Sequence, residues 1–254
     1  MPKSPPMTLY CFAHAGAGVS SFHRWGDLAG PGLRVVPLML PGRDKRRREP
    51  RLTGRDELLA ELLGHITERD PGDGPFALYG HSLGGLVAHT LARALADTAS
   101  TPPAFVAVGA SPPPDAPPLL LHAADAADAD LVEALSVAGL LPPGGIGAPG
   151  GVWYRAVLPV LRDDLRLAEA LRRAAVAPAT GGPLTVPLLA VAGSADRLAP
   201  AEVLAGWRRW TTDRFVQRTV PGDHFFAGGR ELPRLMARAC RVARRAGAQA
   251  TVRT

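Results

Sequence analysis

The sequence predicts an α/β protein in which a mostly parallel sheet is covered by helices on both faces. Three observations carry that expectation. Six short apolar runs are separated by stretches of helical periodicity, the pattern left by parallel strands and their crossover helices. Those runs are nearly continuous in hydrophobicity, as in strands buried on both faces. A glycine-serine-glycine turn, "GHSLGG" at Gly80 to Gly85, falls where one run gives way to a helical pattern.

The first run, Thr8 to Ala13, is followed by His14 and the small residues "AGAG", and the second spans Leu33 to Leu40. Between the second and third lies "TGRDELLAELLGHITERD", with Leu58, Leu59, Leu62, Leu63 and Ile66 on one helical stripe and Thr53/Asp56 as its capping pair. The third run, Phe76 to Tyr79, leads through the turn into a helix with Leu86, Val87, Leu91 and Leu95 on one face. The fourth is Ala104 to Gly109. The fifth and sixth are Val186 to Ala192 and Phe215 to Val220, with a helix starting near Pro200 between them, and the tail after Ala246 is expected to fray.

The alternation breaks once, between Ser111 and Pro187. A proline-rich "SPPPDAPP" leads to a helix near Asp130 to Ala138, a "LPPGGIGAPGG" loop, and a longer helix near Val152 to Ala175. Leu131, Leu135, Leu140, Trp153, Val157 and Leu161 are more apolar surface than a solvated loop carries. The segment at about 115–175 therefore reads as a helical lid inserted over the C-terminal edge of the sheet, within one domain spanning 1–254.

At 254 residues, with 46% hydrophobic and 20% charged residues, the chain is long enough for a sizeable core. Cys11 and Cys240 lie far apart and form neither a disulfide framework nor a metal-ligand spacing. "MPKSPPMTLYCFAHAG" lacks an uninterrupted apolar leader and no segment is long enough to span a membrane, so a cytoplasmic protein is expected; a monomer is expected too, although the sequence does not give the oligomeric state. The net charge of +6 and a pI near 10.1 raise nucleic acid as a partner. The sharpest basic cluster, "GRDKRRRE" at Gly42 to Glu49, has no stacking aromatics among it. It reads as a solvated loop or as a docking surface for an acidic protein, with Arg43, Lys45, Arg46, Arg47 and Arg48 as candidates.

Gly-X-Ser-X-Gly between a strand and a helix holds its serine in a sharp turn and lifts Oγ clear of both elements, which makes Ser82 a candidate nucleophile. Such a serine needs a base and a carboxylate to orient that base. In α/β-hydrolases these follow in the order Ser, Asp or Glu, His, each on a loop after a strand. "SADRLAP" puts Asp196 after the fifth run and "PGDHFF" puts His224 after the sixth. The other histidines fit less well: His81 is inside the turn, His89 is on the following helix, and His14, His23, His65 and His122 precede the acid or lie off strand-end loops. Asp115, after the fourth run, is the competing acid, and Asp223 reads as a turn residue. The backbone N–H groups of Ala15, in the first strand-end loop, and of Leu83, at the helix start, are candidates for an oxyanion hole.

"CFAHAGAG", "FHRW", "LPGRDKRRREP", "GHSLGG", "LPVLRDDLRLAEAL", "GSADRLAP" and "PGDHFF" together resemble the type II thioesterases, the discrete editing enzymes of polyketide synthases and nonribosomal peptide synthetases. The resemblance covers about Leu9 to Phe226. It implies an α/β-hydrolase fold with a helical lid and hydrolysis of acyl groups from the phosphopantetheine thiol of an acyl or peptidyl carrier protein. Triad roles pass to Ser82, Asp196 and His224 and oxyanion roles to Ala15 and Leu83, with no cofactor beyond the phosphopantetheine of the substrate. Two departures stand out: Ala13 where proline is frequent, and Ser194 and Ala195 where a further acid is common. A carboxylester hydrolase, an acyltransferase on the same fold, and a silent interaction module are the alternatives to this reading.

Overall fold

In the computed structural model, described for residues 6–68, 74–98, 101–117, 120, 123–141, 150–178 and 182–251, the six apolar runs form one six-stranded sheet. The strands are β1 (Met7–Phe12), β2 (Leu33–Pro37), β3 (Phe76–His81), β4 (Val106–Gly109), β5 (Leu188–Gly193) and β6 (Phe215–Val220). They lie in the order β2-β1-β3-β4-β5-β6, every neighbouring pair parallel. The helices are α1 (Trp25–Ala29), α2 (Arg55–Thr67), α3 (Leu83–Asp97), α4 (Asp128–Val137), α5 (Val152–Val176), α6 (Ala201–Leu204) and α7 (Glu231–Thr251). His122, the Trp153 side chain and the loop at 142–149 lie outside the described residues.

Successive strand residues point to opposite faces, and both faces are buried. Tyr10, Phe12, Phe76, Leu78, Val106 and Val108 pack with α2, α3 and the second half of α5. Met7, Leu9, Cys11, Ala77, Tyr79 and Val191 pack on the other face, where Trp25 of α1 and Leu232 and Met236 of α7 cover them. A third, smaller cluster joins Leu131 and Leu135 of α4 to Tyr154, Leu158 and Leu161 of α5, and half-buried Ala15 packs against it. The segment between β4 and β5 thus carries its own apolar contacts over the end of the sheet. Because all strands are parallel, their C-terminal ends, and the loops that follow them, share that one edge.

Two local expectations are corrected. Thr53 and Asp56 do not cap α2: the N-cap is Gly54, which has no side chain to offer, and the Glu57 carboxylate accepts the Thr53 N–H at 3.4 Å. The helix starts later than the motif suggested, so Glu57 becomes its third residue and reaches back. The segment after Ala246, expected to fray, is helical to Thr251, with Ala248 and Ala250 as helix formers around Gly247 and Gln249; residues 252–254 lie outside the described residues.

Leu91, in α3 between the sheet and α5, has no exposed surface, whereas Val137 at the end of α4 is 82% exposed. Leu91→Ala should lower unfolding free energy by about 2–5 kcal/mol through lost burial and a cavity. Val137→Ala should change it by less than about 0.5 kcal/mol, a contrast that denaturant titrations of the two variants would measure.

Candidate active site

Ser82 stands between β3 and α3 with φ 54° and ψ −116°, a conformation that side-chain-bearing residues adopt only under constraint. Its N–H still donates to the Gly109 carbonyl of β4 at 2.8 Å, and its carbonyl accepts from Gly85 at 2.9 Å. The chain reverses between those two bonds. A Cβ at Gly80 would run into the Gly84 carbonyl, and one at Gly84 would run into the Phe12 carbonyl at the end of β1. Absent side chains at these two positions let strand, helix and β1 backbone touch.

The loops after β5 and β6 bring a carboxylate and an imidazole to this serine. His224 Nε2 lies 3.1 Å from Ser82 Oγ, and His224 Nδ1 lies 3.2 and 3.1 Å from the two Asp196 carboxylate oxygens. Asp196 Oδ1 also accepts the backbone N–H groups of Leu198 and Ala199 at 2.9 and 3.0 Å, which fixes the carboxylate at the start of the next segment. A carboxylate only accepts, so Nδ1 carries the histidine proton and Nε2 is left as the acceptor facing the serine hydroxyl. Both Asp196 and His224 are buried.

After β1, Ala17 N–H donates to the His14 carbonyl at 3.1 Å and closes a turn over Ala15 and Gly16, with Gly16 at φ +76°. Glycine is the residue that accepts this left-handed position without strain. The N–H groups of Ala15 and Leu83 have no acceptor among the described residues. Two cavities meet at Ser82. One, of about 420 Å³, runs past Leu83, Leu86, Leu165 and Ala168. The other, of about 490 Å³, runs past His14, Leu135, Leu161, His224 and Phe225.

The remaining candidates fall elsewhere. Asp115 is bonded to Arg209 and to Trp210 Nε1 and does not meet His224. Asp223 accepts the Phe225 N–H at 2.9 Å in a local turn. His89 is buried against Trp207 and Trp210, and burial together with the Arg93 charge holds it down at about 3. His23 and His65 are exposed. His14 is also lowered, to about 4, by burial and then by His224.

Sequence reasoning missed two tethers of the site. His81 has no exposed surface; its Nε2 donates to the His224 carbonyl at 2.7 Å, and its Nδ1 accepts from the Tyr79 hydroxyl at 2.7 Å. Burial first, and then His14 and His224, lower its pKa well below the ordinary value, so it serves as a neutral clamp on the His224 loop. The second tether is an ion pair of Arg43 with Asp164 in α5, which also corrects the docking surface expected of the basic loop. Arg43 is bound by both nitrogens to Asp164, and Arg46 is bound to Glu49 and Glu61. Lys45, Arg47 and Arg48 remain exposed, with no ion pair among the described residues. Partners 121 and 143 residues apart leave no local signature, although "PGR" and "LPVLRDD", each with a charge of opposite sign, were both conspicuous as motifs.

A family model described as "Thioesterase domain" matches residues 7–240. Thioesterase PikA5 of Streptomyces venezuelae is 35% identical over 219 residues, 86% of this chain and 74% of that protein. Among solved structures, the thioesterase RedJ from the prodiginine biosynthetic pathway of Streptomyces coelicolor superposes with a TM-score of 0.76 at 31% identity, covering 93% of this chain and 91% of that one. YbtT, a type II thioesterase from the yersiniabactin NRPS/PKS biosynthetic pathway, gives a TM-score of 0.78 at 26% identity over 95% of each chain. The sheet and its flanking helices are those of the α/β-hydrolase fold.

The backbone at Ser82 supports a test of the elbow that does not involve turnover. Glycine would relieve strain of about 1–3 kcal/mol at this conformation and would give back roughly 0.5–1 kcal/mol in chain entropy. Ser82→Gly should therefore melt at a higher temperature than Ser82→Ala, which loses the same hydroxyl but keeps the strain. Equal melting temperatures would mean the turn stores no more strain than the roughly 0.5–1 kcal/mol that glycine loses in chain entropy.

Proposed function

The chain belongs to the thioesterase domain family, and from that premise we propose that it is a type II thioesterase that frees acyl groups from the phosphopantetheine thiol of an acyl or peptidyl carrier protein. It is a hydrolase acting on thioesters, and its relatives serve polyketide and nonribosomal peptide biosynthesis. The observation that carries the mechanism is the chain of contacts Ser82–His224–Asp196 at the junction of the two cavities. Two free buried thiols, Cys11 and Cys240, suit a reducing compartment and support a cytoplasmic enzyme. The reading invokes no cofactor of the enzyme's own, because phosphopantetheine arrives on the carrier.

His224 Nε2 takes the Ser82 proton as Oγ bonds to the thioester carbon, and the carbonyl π electrons move to oxygen. The N–H groups of Ala15 and Leu83 receive that oxyanion, while Asp196 stabilises the imidazolium. Collapse breaks the C–S bond, and the Nε2 proton goes to the departing sulfur. Water then gives a proton to Nε2 as it attacks the acyl-enzyme, and the second collapse returns that proton to Ser82 Oγ and releases the acid. The leaving thiol must stand on the His224 side to receive its proton. The cavity past His224 and Phe225 therefore takes the pantetheine arm, and the one past Leu83 and Leu86 takes the acyl chain. The segment from 115 to 175, with α4 and α5, is the lid that walls both.

Ser82→Ala should reduce hydrolysis of an acyl-carrier thioester by about 10³–10⁶ without loss of fold. Asp196→Asn should cost on the order of 10²–10⁴, whereas Asp115→Asn should remain near the wild-type rate. Steady-state rates on the thioester and on the oxygen ester of the same acyl chain decide the reading; a preference for the oxygen ester would move it to a carboxylester hydrolase.

The exposed Lys45, Arg47 and Arg48 follow β2, on the active-site edge, and support docking of an acidic carrier. Changing all three to alanine should lower kcat/KM for the carrier substrate, most strongly at low ionic strength, and leave a pantetheine mimic unaffected. Equal effects on both substrates would remove this surface from the reading.

A further inference from the structure

The pair formed by Arg43 and Asp164 is the most buried ion pair among the described residues apart from His224–Asp196, with side chains 9% and 1% exposed. It does more than join α5 to the loop after β2. Asp164 Oδ2 accepts the Gly16 N–H at 2.7 Å, and Arg43 Nη1 donates to the Ala17 carbonyl at 2.9 Å. The same guanidinium holds Asp164 through Nη1 at 3.0 Å and Nη2 at 2.6 Å. Gly16 also sits under the lid helix, where a Cβ would come 3.7 Å from Leu161 and Val157.

These contacts bear on the turn that presents Ala15. A β-turn leaves the N–H groups of its two central residues outside its own hydrogen bond, here those of Ala15 and Gly16. Asp164 takes the Gly16 amide and leaves the amide of Ala15, which lines both cavities with Ser82, without an acceptor among the described residues. A bare carboxylate beside a developing oxyanion would raise the energy of the transition state, since like charges in a dry site repel strongly. The bidentate guanidinium cancels that charge and fixes the other end of the turn.

We propose that Asp164 and Arg43 are positioning residues for the thioesterase reaction: a charge-compensated latch that seats α5 of the lid on the turn carrying Ala15, so that lid seating and assembly of the oxyanion hole are one event. This rests on the proposed function, in which the Ala15 N–H meets the oxyanion. Burial raises the Asp164 carboxyl above its ordinary value and the Arg43 guanidinium opposes this.

The test compares Arg43→Met, Asp164→Asn and the double variant with wild type on an acyl-pantetheine thioester and a p-nitrophenyl ester of the same chain. Thermal melting establishes which variants are folded. Loss of an oxyanion donor costs about 10²–10³ in kcat; a displaced donor should cost about 10-fold to 100-fold. Arg43→Met should lower kcat by that amount on both esters with KM changed by less than about threefold, because both esters pass through the same oxyanion. Affinity for an alkyl boronic acid, which forms a tetrahedral adduct on Ser82, should fall in parallel. Adding Asp164→Asn to Arg43→Met should recover most of the loss, since the uncompensated charge is gone while an acceptor for Gly16 N–H remains. If Arg43→Met does not fold, Asp164→Ala, which removes the acceptor of the Gly16 N–H, decides by the same split of kcat and KM. Unchanged kcat, a rise in KM alone, or a double variant no better than Arg43→Met would overturn the latch. Wild-type protein inactive on the thioester but active on the oxygen ester would instead overturn the proposed substrate, and the variant ratios on the oxygen ester would still read the latch.

Discussion

The site depends on one close approach, the contact of Gly84 at the start of α3 with the Phe12 carbonyl at the end of β1. Side chains would hold these segments apart. Without them, the end of β1 lies against the first turn of α3, and Ala15, Ser82 and Leu83 line one cavity together. The strain at Ser82 is sustained because both flanks are fixed, one by the ladder bond to Gly109 and the other by a helix whose residues Leu83 to Ala92 are all buried. A parallel sheet supplies the rest, since every strand delivers its following loop to this edge.

The same packing makes the site electrostatically selective. Three imidazoles, those of His14, His81 and His224, cluster with ring centroids 5.8 to 5.9 Å apart for the His81 pairs. If all three could charge, they would oppose the imidazolium that the proposed mechanism forms at His224. Burial lowers His14 and His81, so both are neutral near pH 7, and His81 is spent as a donor to the His224 backbone. The charge then develops only where Asp196 can meet it.

Much of this was legible in the sequence because it is carried by local pattern. Six strands follow from apolar runs, and the meeting of Ser82, Asp196 and His224 follows from their order on strand-end loops. What was not legible is pairing over distance. The "GRDKRRRE" stretch reads as one basic patch, yet Arg43 and Arg46 are consumed by Asp164 and by Glu49 and Glu61. Charge composition cannot reveal this, because a buried pair and two solvated charges have the same sequence. The capping error at Thr53 is of the opposite kind, a local motif displaced when the helix began at Arg55 and left its cap at Gly54.

The ion pairs of α5 differ in a way that bears on how α4 and α5 are held. Toward the sheet, Asp164 and Asp163 meet Arg43 and Arg51 with side chains at most 32% exposed. Toward α4, Arg162 and Arg166 meet Asp128 and Asp125, whose carboxylates are 59% and 75% exposed. Exposed pairs contribute little and fade with salt. The hold on α4 therefore comes chiefly from Leu131 and Leu135 against Tyr154, Leu158 and Leu161. Leu135 and Leu161 also line the cavity on the His224 side. Leu135 and Leu161 thus serve two contacts at once, the one that keeps α4 on α5 and the wall of that cavity, so a substitution at either alters both.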